Sequence, residues 1–275
     1  MIDNIDILPI YEAVFLEKDN VPGGTTLPCQ MTVVDKNENL KGVYIVKVFG
    51  QRHIEQYNPT NKEIIANILA QAFEIKVPSL ALVEVPLFII EEMKQNPVYG
   101  KSELKAGYYY GCAYIENTAS YEAGLETNTY ETWELATIFA FDVLIRNFDR
   151  RTQKPNILFK EQEFILIDHD LALDLTKDYA WYKSNQTYQK VVKGVKGEHI
   201  FLKHLKAVHE VEKITFDDFI MDLRGLDFKE LDKAQKVLEM LDMDTSDFEV
   251  IKEYLKSIQA DSTNFQQLLI ALIQT

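Results

Sequence analysis

The 275-residue chain carries 29 Lys plus Arg against 43 Asp plus Glu, a formal net charge of −14 that argues against wrapping nucleic acid or lying on an anionic membrane. With 47% hydrophobic and 26% charged residues, only 11 Gly and 8 Pro, it has the profile of an ordered globular protein. Its length is enough to bury about 75% of the surface the unfolded chain would expose, so a core needs no disulfide or metal to hold it.

The N-terminal stretch MIDNIDILPI is acidic and lacks the basic flank and apolar run of a signal peptide, so no export is expected. No run of 18 apolar residues offers a transmembrane span; the richest stretch, ALALVEVPLFII, is broken by Glu84 and Pro86. Next, the runs IYEAVFL, QMTVV and VYIVKVF, separated by the turn-forming NVPGG and DKNEN, predict an antiparallel sheet across residues 10 to 49. Residues 61 to 74 switch to helical spacing, with Ile64, Ile65, Ile68, Leu69 and Ala72 on one stripe. Strand signals return at ALVEV and YYYGCAYIE. The two cysteines, Cys29 and Cys112, form neither a disulfide framework nor a Cys-x-x-Cys metal site and read as buried small residues in a reducing cytoplasm.

The polar stretch ENTASYEAGLETNT is the one linker-like segment and the expected hinge. It divides a β-rich part, residues 1–116, from a mainly helical part, residues 117–275. A second helix from about Glu131 to Arg146 turns Trp133, Ala136, Ala140, Val143 and Leu144 inward. After a polar loop, NILF and FILID read as a hairpin-like pair, and beyond about residue 197 the period is helical throughout. Leu231, Ala234, Val237, Leu238 and Leu241 make one stripe, and Phe248, Ile251, Leu255 and Ile258 another. The order is a segregated α+β pattern.

The most informative segment is RNFDRRTQKPNILFKEQEFILIDHDLAL, residues 146 to 173, which carries Asp149, Asn156 and Asp168 on a loop and at the end of a hairpin. Phosphoryl transfer from ATP needs one carboxylate to orient the attacking hydroxyl, and an amide oxygen with a second carboxylate to hold magnesium against the phosphates. Asp149, Asn156 and Asp168 fit those roles in that order. The plainer reading makes Asp149 and Asn156 turn residues and Asp168 a helix cap. Their joint placement between an apolar helix and an apolar hairpin favours the chemical one.

A kinase also needs a cation on the nucleotide phosphates, held by a glutamate from the adjacent helix. Lys47 interrupts the apolar strand VYIVKVF, and Glu63 opens the next helix. Because Thr60-Asn-Lys-Glu63 is also a capping box, Glu63 has two competing roles, ion-pair partner or helix cap, with Glu74 further along as a substitute. In VPGGTT, Gly23 and Gly24 allow either a turn or a loop whose backbone N–H groups cradle phosphates.

The combination of VYIVKVF, NKEIIANILAQAFEIKVPSLALVEV, YYYGCAYIE, VLIRNFDRRTQKPNILF and FILIDHDLAL resembles the HipA-like kinases over about residues 20 to 175. The resemblance implies a bilobal, protein-kinase-like α+β fold and an enzyme using ATP and Mg2+ to phosphorylate a hydroxyl. It implies Asp149 as catalytic base, and Asn156 and Asp168 as metal ligands. Lys47 would lie on the phosphates with Glu63, and Gly23, Gly24 and Thr25 in the phosphate loop. A serine or threonine of a protein is the expected acceptor; a small-molecule or lipid kinase and a non-catalytic nucleotide-binding module are the alternatives. An antitoxin-like regulatory partner is a further implication, as is autophosphorylation at Thr25 or Thr26. The chain is shorter than HipA and places six residues between Asp149 and Asn156 where many kinases have four, which makes Asn147 the reserve ligand. His169, between two aspartates and far in sequence from the other histidines, reads as a hydrogen-bonded support of the metal loop, and Asp170 as a helix cap or an outer contact.

Overall fold

A computed structural model describes residues 7–18, 28–99, 103–121, 131–175 and 199–274. The chain divides into two compact units. The first comprises residues 1–64, 78–117 and 230–245, the second residues 65–77, 118–229 and 246–275.

In the first unit, β1 (Ile10–Lys18), β2 (Cys29–Val34), β3 (Leu40–Val46), β4 (Leu80–Val85) and β5 (Gly107–Ala113) close into a barrel in the order β1-β2-β3-β5-β4. The first three strands form the expected antiparallel meander. Beyond that meander the sheet closes on itself: β1 runs parallel to β4, with Ile10, Tyr11 and Glu12 opposite Leu82, Val83 and Glu84. Alternation along β2 sends Cys29, Met31 and Val33 inward, where they meet Ala81, Val83 and Val85 of β4 and Tyr109 of β5. Cys29 Sγ lies 3.1 Å from Tyr99 Oη, and both cysteines are buried thiols.

Gly111 of β5 is fixed by this packing. A Cβ there would lie 2.6 Å from Cγ2 of Val83, a branched side chain that cannot swing away. Gly111→Ala is therefore expected to lower the unfolding free energy by about 1–3 kcal/mol, read by denaturant titration.

Two short helices not signalled by the sequence pattern, α1 (Gln51–Tyr57) and α3 (Leu87–Met93), flank the barrel strands, and α3 adds Ile89, Ile90 and Met93 to the core. Between them α2 (Pro59–Ala72) starts on a proline, whose missing N–H costs nothing in the first turn, and is buried from Pro59 through Ala70. The helix α7 (Lys229–Met240) also belongs to the first unit, burying Leu231, Ala234, Val237 and Leu238.

The second unit is built around α4 (Thr132–Leu144), buried on all sides from Leu135 through Leu144 apart from Thr137. Trp133 is the exception to the inward stripe: it lies in the first turn of α4, 65% exposed. A three-stranded sheet in the order β6-β7-β8 follows, from β6 (Ala119–Ser120), β7 (Ile157–Lys160) and β8 (Glu163–Leu166). The β7–β8 hairpin turns on Glu161 and Gln162, both at positive φ, the backbone of a two-residue turn that usually selects Asn and Gly. The helices α5 (Leu202–Val211), α6 (Asp217–Gly225), α8 (Ser246–Ala260) and α9 (Ser262–Gln274) complete it, with α9 packed on α5, α6 and α8. Phe73, just past α2, stacks on Phe219 of α6 with ring centroids 4.5 Å apart.

Among the described residues no helix is long and apolar enough to cross a membrane.

Candidate active site

The first unit supplies a buried ion pair. Lys47 follows the last residue of β3, and its backbone N–H still donates to the Tyr110 carbonyl at 3.1 Å, so strand pairing carries one residue further and puts its side chain on the face opposite Val46 and Val48, which fill the barrel core. Its ammonium pairs with Glu63 Oε1, and both side chains are almost fully buried. Because α2 begins at Pro59, Glu63 lies in the second turn, too far along for the capping-box role, and it pairs with Lys47. Glu74 is exposed beyond the end of α2. Gly23, Gly24, Thr25 and Thr26 lie outside the described residues, as does most of the expected hinge.

In the second unit, α4 ends in a Schellman turn. Arg146 takes the left-handed conformation, φ 56°, its N–H bonding the Val143 carbonyl and that of Asn147 the Asp142 carbonyl. This residue is usually glycine, and an arginine is held there by a bond from Nη1 to the Asp174 carbonyl at 2.5 Å. The turn delivers the 147–156 loop directly off a buried helix.

That loop is anchored by a carboxylate inside the helix. Asp142 is fully buried, and accepts from Arg150 Nε at 2.6 Å, from Asn147 Nδ2 at 2.8 Å and from His199 Nε2 at 3.0 Å. Since His199 Nδ1 accepts the Phe201 backbone N–H at 3.2 Å, the ring proton is assigned to Nε2, which donates to Asp142. Burial alone would raise the Asp142 pKa, but the Arg150 charge and the His199 hydrogen bond outweigh it and bring it down to about 2. Arg150 then spans outward: Nη1 donates to the Pro155 and Asn156 carbonyls at 3.2 and 2.5 Å, and Nη2 lies 3.0 Å from His169 Nε2. One guanidinium thus ties the end of α4, the far end of the 147–156 loop and the loop that follows β8 together.

On this frame the three sequence-predicted residues meet. Asp149 Oδ2 accepts from Lys154 Nζ at 2.6 Å and from Asn156 Nδ2 at 3.3 Å, and its Oδ1 from Arg151 Nη2 at 3.1 Å. The same Lys154 ammonium lies 2.9 Å from Asp168 Oδ2. Burial would lower the Lys154 pKa, but its bonds to Asp149 and the charge of Asp168 prevail and hold it above the usual value. Asn156 and Asp168 both have positive φ, 51° and 65°, a conformation that Asn and Asp tolerate better than other side chains. The longer loop does not carry Asn156 away from Asp149. Asn147, the reserve ligand, is used within the loop: its amide nitrogen bonds Asp142 and its oxygen accepts the Asp149 N–H at 3.2 Å. His169 supports the loop as expected; residues 170–173 form a turn and not a helix, so Asp170 caps none.

With this geometry in view, a comparison with known families gives a match to the HipA-like kinase model over residues 30–219. The chain belongs to the HipA-like kinase family. The match of this HipA-like kinase covers Lys47, Glu63 and the whole 146–173 segment. No curated protein sequence matches the chain. Among solved structures it is similar to a Helicobacter pylori proinflammatory kinase, CtkA, with 12% identity, 97% of each chain covered and a TM-score of 0.46.

Four residues of this cluster were not singled out by the sequence. Asp142 had a legible signal, since a charge in the apolar run ATIFAFDVL must be paired when the helix is buried all round. Arg150 and Lys154, in DRRTQK, look like a solvated charge run, and His199 is far away in sequence.

Proposed function

We propose that this HipA-like kinase transfers the γ-phosphoryl group of ATP to a hydroxyl in a magnesium-dependent reaction, with a serine or threonine of a cytoplasmic protein as acceptor. The observation that carries the reading is the placing of Asp149 and Asp168 on one ammonium with Asn156 bonded to Asp149. The metal donors fit the ion: Asn156 commits its amide nitrogen to Asp149, which turns its hard carbonyl oxygen to other use, and Asp168 offers a carboxylate. Bound there, magnesium would neutralise phosphate charge. Asp149 would orient the acceptor hydroxyl and take its proton, its side chain held in place by Lys154 and Arg151. Lys47, steadied by Glu63, would hold the nucleotide phosphates. In this reading residues 1–116 form the β-rich N-lobe and residues 117–275 the helical C-lobe.

Radiolabelled ATP, magnesium and a mixed acceptor protein such as casein test it. Magnesium-dependent labelling of protein Ser or Thr is the expected result, with transfer down roughly 10²-fold in Lys47→Met, which keeps the aliphatic stem and removes the charge. Labelling that persists without divalent ions, or that Lys47→Met leaves unchanged, would count against the reading.

A further inference from the structure

Lys154 holds a position ordinarily expected of a metal. Its Nζ bridges Asp149 Oδ2 and Asp168 Oδ2 at 2.6 and 2.9 Å, in a half-buried setting where an ammonium between two carboxylates is strongly favoured. A divalent ion taking Asp168 as ligand needs that carboxylate free of a second cation, because two like charges on one oxygen repel. Asp149 would not be stranded by the exchange, since Arg151 Nη2 holds its other oxygen at 3.1 Å. The backbone of the loop is independently fixed by Arg150, so the Lys154 side chain can leave Asp168 without the loop unravelling.

We propose that Lys154 is a built-in counter-ion that occupies the cation position between Asp149 and Asp168 and must be displaced from Asp168 before a divalent metal can bind, so that it sets the metal affinity of the site. Resting on Asp168 as a metal ligand, the proposal makes metal loading an exchange of one cation for another. Without metal, Lys154 prevents the two aspartates from repelling each other. Removing its charge while keeping its stem then has two opposite effects: the metal-free protein becomes less stable, and the metal binds more tightly.

Mn2+ binding to the purified full chain, followed by electron paramagnetic resonance of the free ion, tests this without any turnover. Lys154→Met is expected to bind Mn2+ about tenfold more tightly than the parent, equivalent to about 1.4 kcal/mol. Lys154→Arg, which retains the charge, should stay near the parent, and Asp168→Ala should abolish the gain when combined with Lys154→Met. Circular dichroism reports whether each variant folds, and Lys154→Gln serves if the methionine variant does not. Mn2+ affinity in the charge-removing variant no tighter than in the parent overturns the proposal. If Asp168→Ala meanwhile abolishes Mn2+ binding, the metal-ligand reading survives that failure; if Asp168→Ala binds Mn2+ as the parent does, both are overturned.

Discussion

Arg150→Met is expected to lower the unfolding free energy by about 3–5 kcal/mol, the range for removing one partner of a buried ion pair. Methionine fills much of the same volume but leaves the Asp142 carboxylate, wholly buried, with only Asn147 and His199. It also strips two backbone carbonyls and His169 of a donor. Combining it with Asp142→Leu should recover part of the loss, because the uncompensated charge is then gone. Equilibrium denaturation followed by circular dichroism is the measurement, and a loss under about 1 kcal/mol would show that the network carries little stability. The same pair makes a pH prediction. Asp142 falls from the usual 3.8 to about 2 on folding, so its contribution is present above the unfolded value and is lost as pH drops toward 2. That contribution is about 2 kcal/mol. In Arg150→Met the acid transition should begin at higher pH than in the parent.

Asp149→Asn is expected to slow phosphate transfer by about 10²–10⁴-fold while leaving Mg-ATP affinity close to that of the parent, since a residue that orients the acceptor hydroxyl acts on the transition state. The amide oxygen can still accept from Lys154, the half-exposed Arg151 gives up its bond to water, and Arg150 keeps its hold on the loop backbone. Asp168→Ala gives the opposite signature, weakening both nucleotide binding and transfer, as expected of a group that holds the metal on the phosphates. Calorimetric Mg-ATP affinity and radiolabel transfer on the same preparations separate the two. Loss of nucleotide binding by folded Asp149→Asn would remove it from the role of base.

The parts of the fold and site that were legible in the sequence are those where a local pattern and the tertiary structure agree. The period of α2, α4, α7 and α8, the hairpin of β7 and β8, and the buried lysine beside an apolar strand all followed from spacing. Contacts between distant segments were not legible. Nothing local says that β1 should run parallel to β4. Trp133 shows the limit of period: it has the correct phase for the core but sits in the first turn, ahead of the packed part of the helix. The end of α4 was hidden because arginine stands where the turn normally asks for glycine. Lys154 and Arg150 were hidden for another reason. Their partners are carboxylates at sequence distances that no fixed periodicity encodes, and DRRTQK resembles any solvated loop.

The parallel seam between β1 and β4 also constrains how the protein can be made. On a ribosome, β1, β2 and β3 emerge first and can pair in turn, but the outer edge of β1 has no partner until residues 80 to 85 are out, and β5 must then slip between β3 and β4. Closing this long loop takes its entropic toll before the seam's own hydrogen bonds form, which makes it a slow step. For that interval the nascent meander presents an unpaired edge, with Val14 and Phe15 on its outer face, to any other extended chain nearby. Chaperone dependence and strand exchange between copies would begin at this edge.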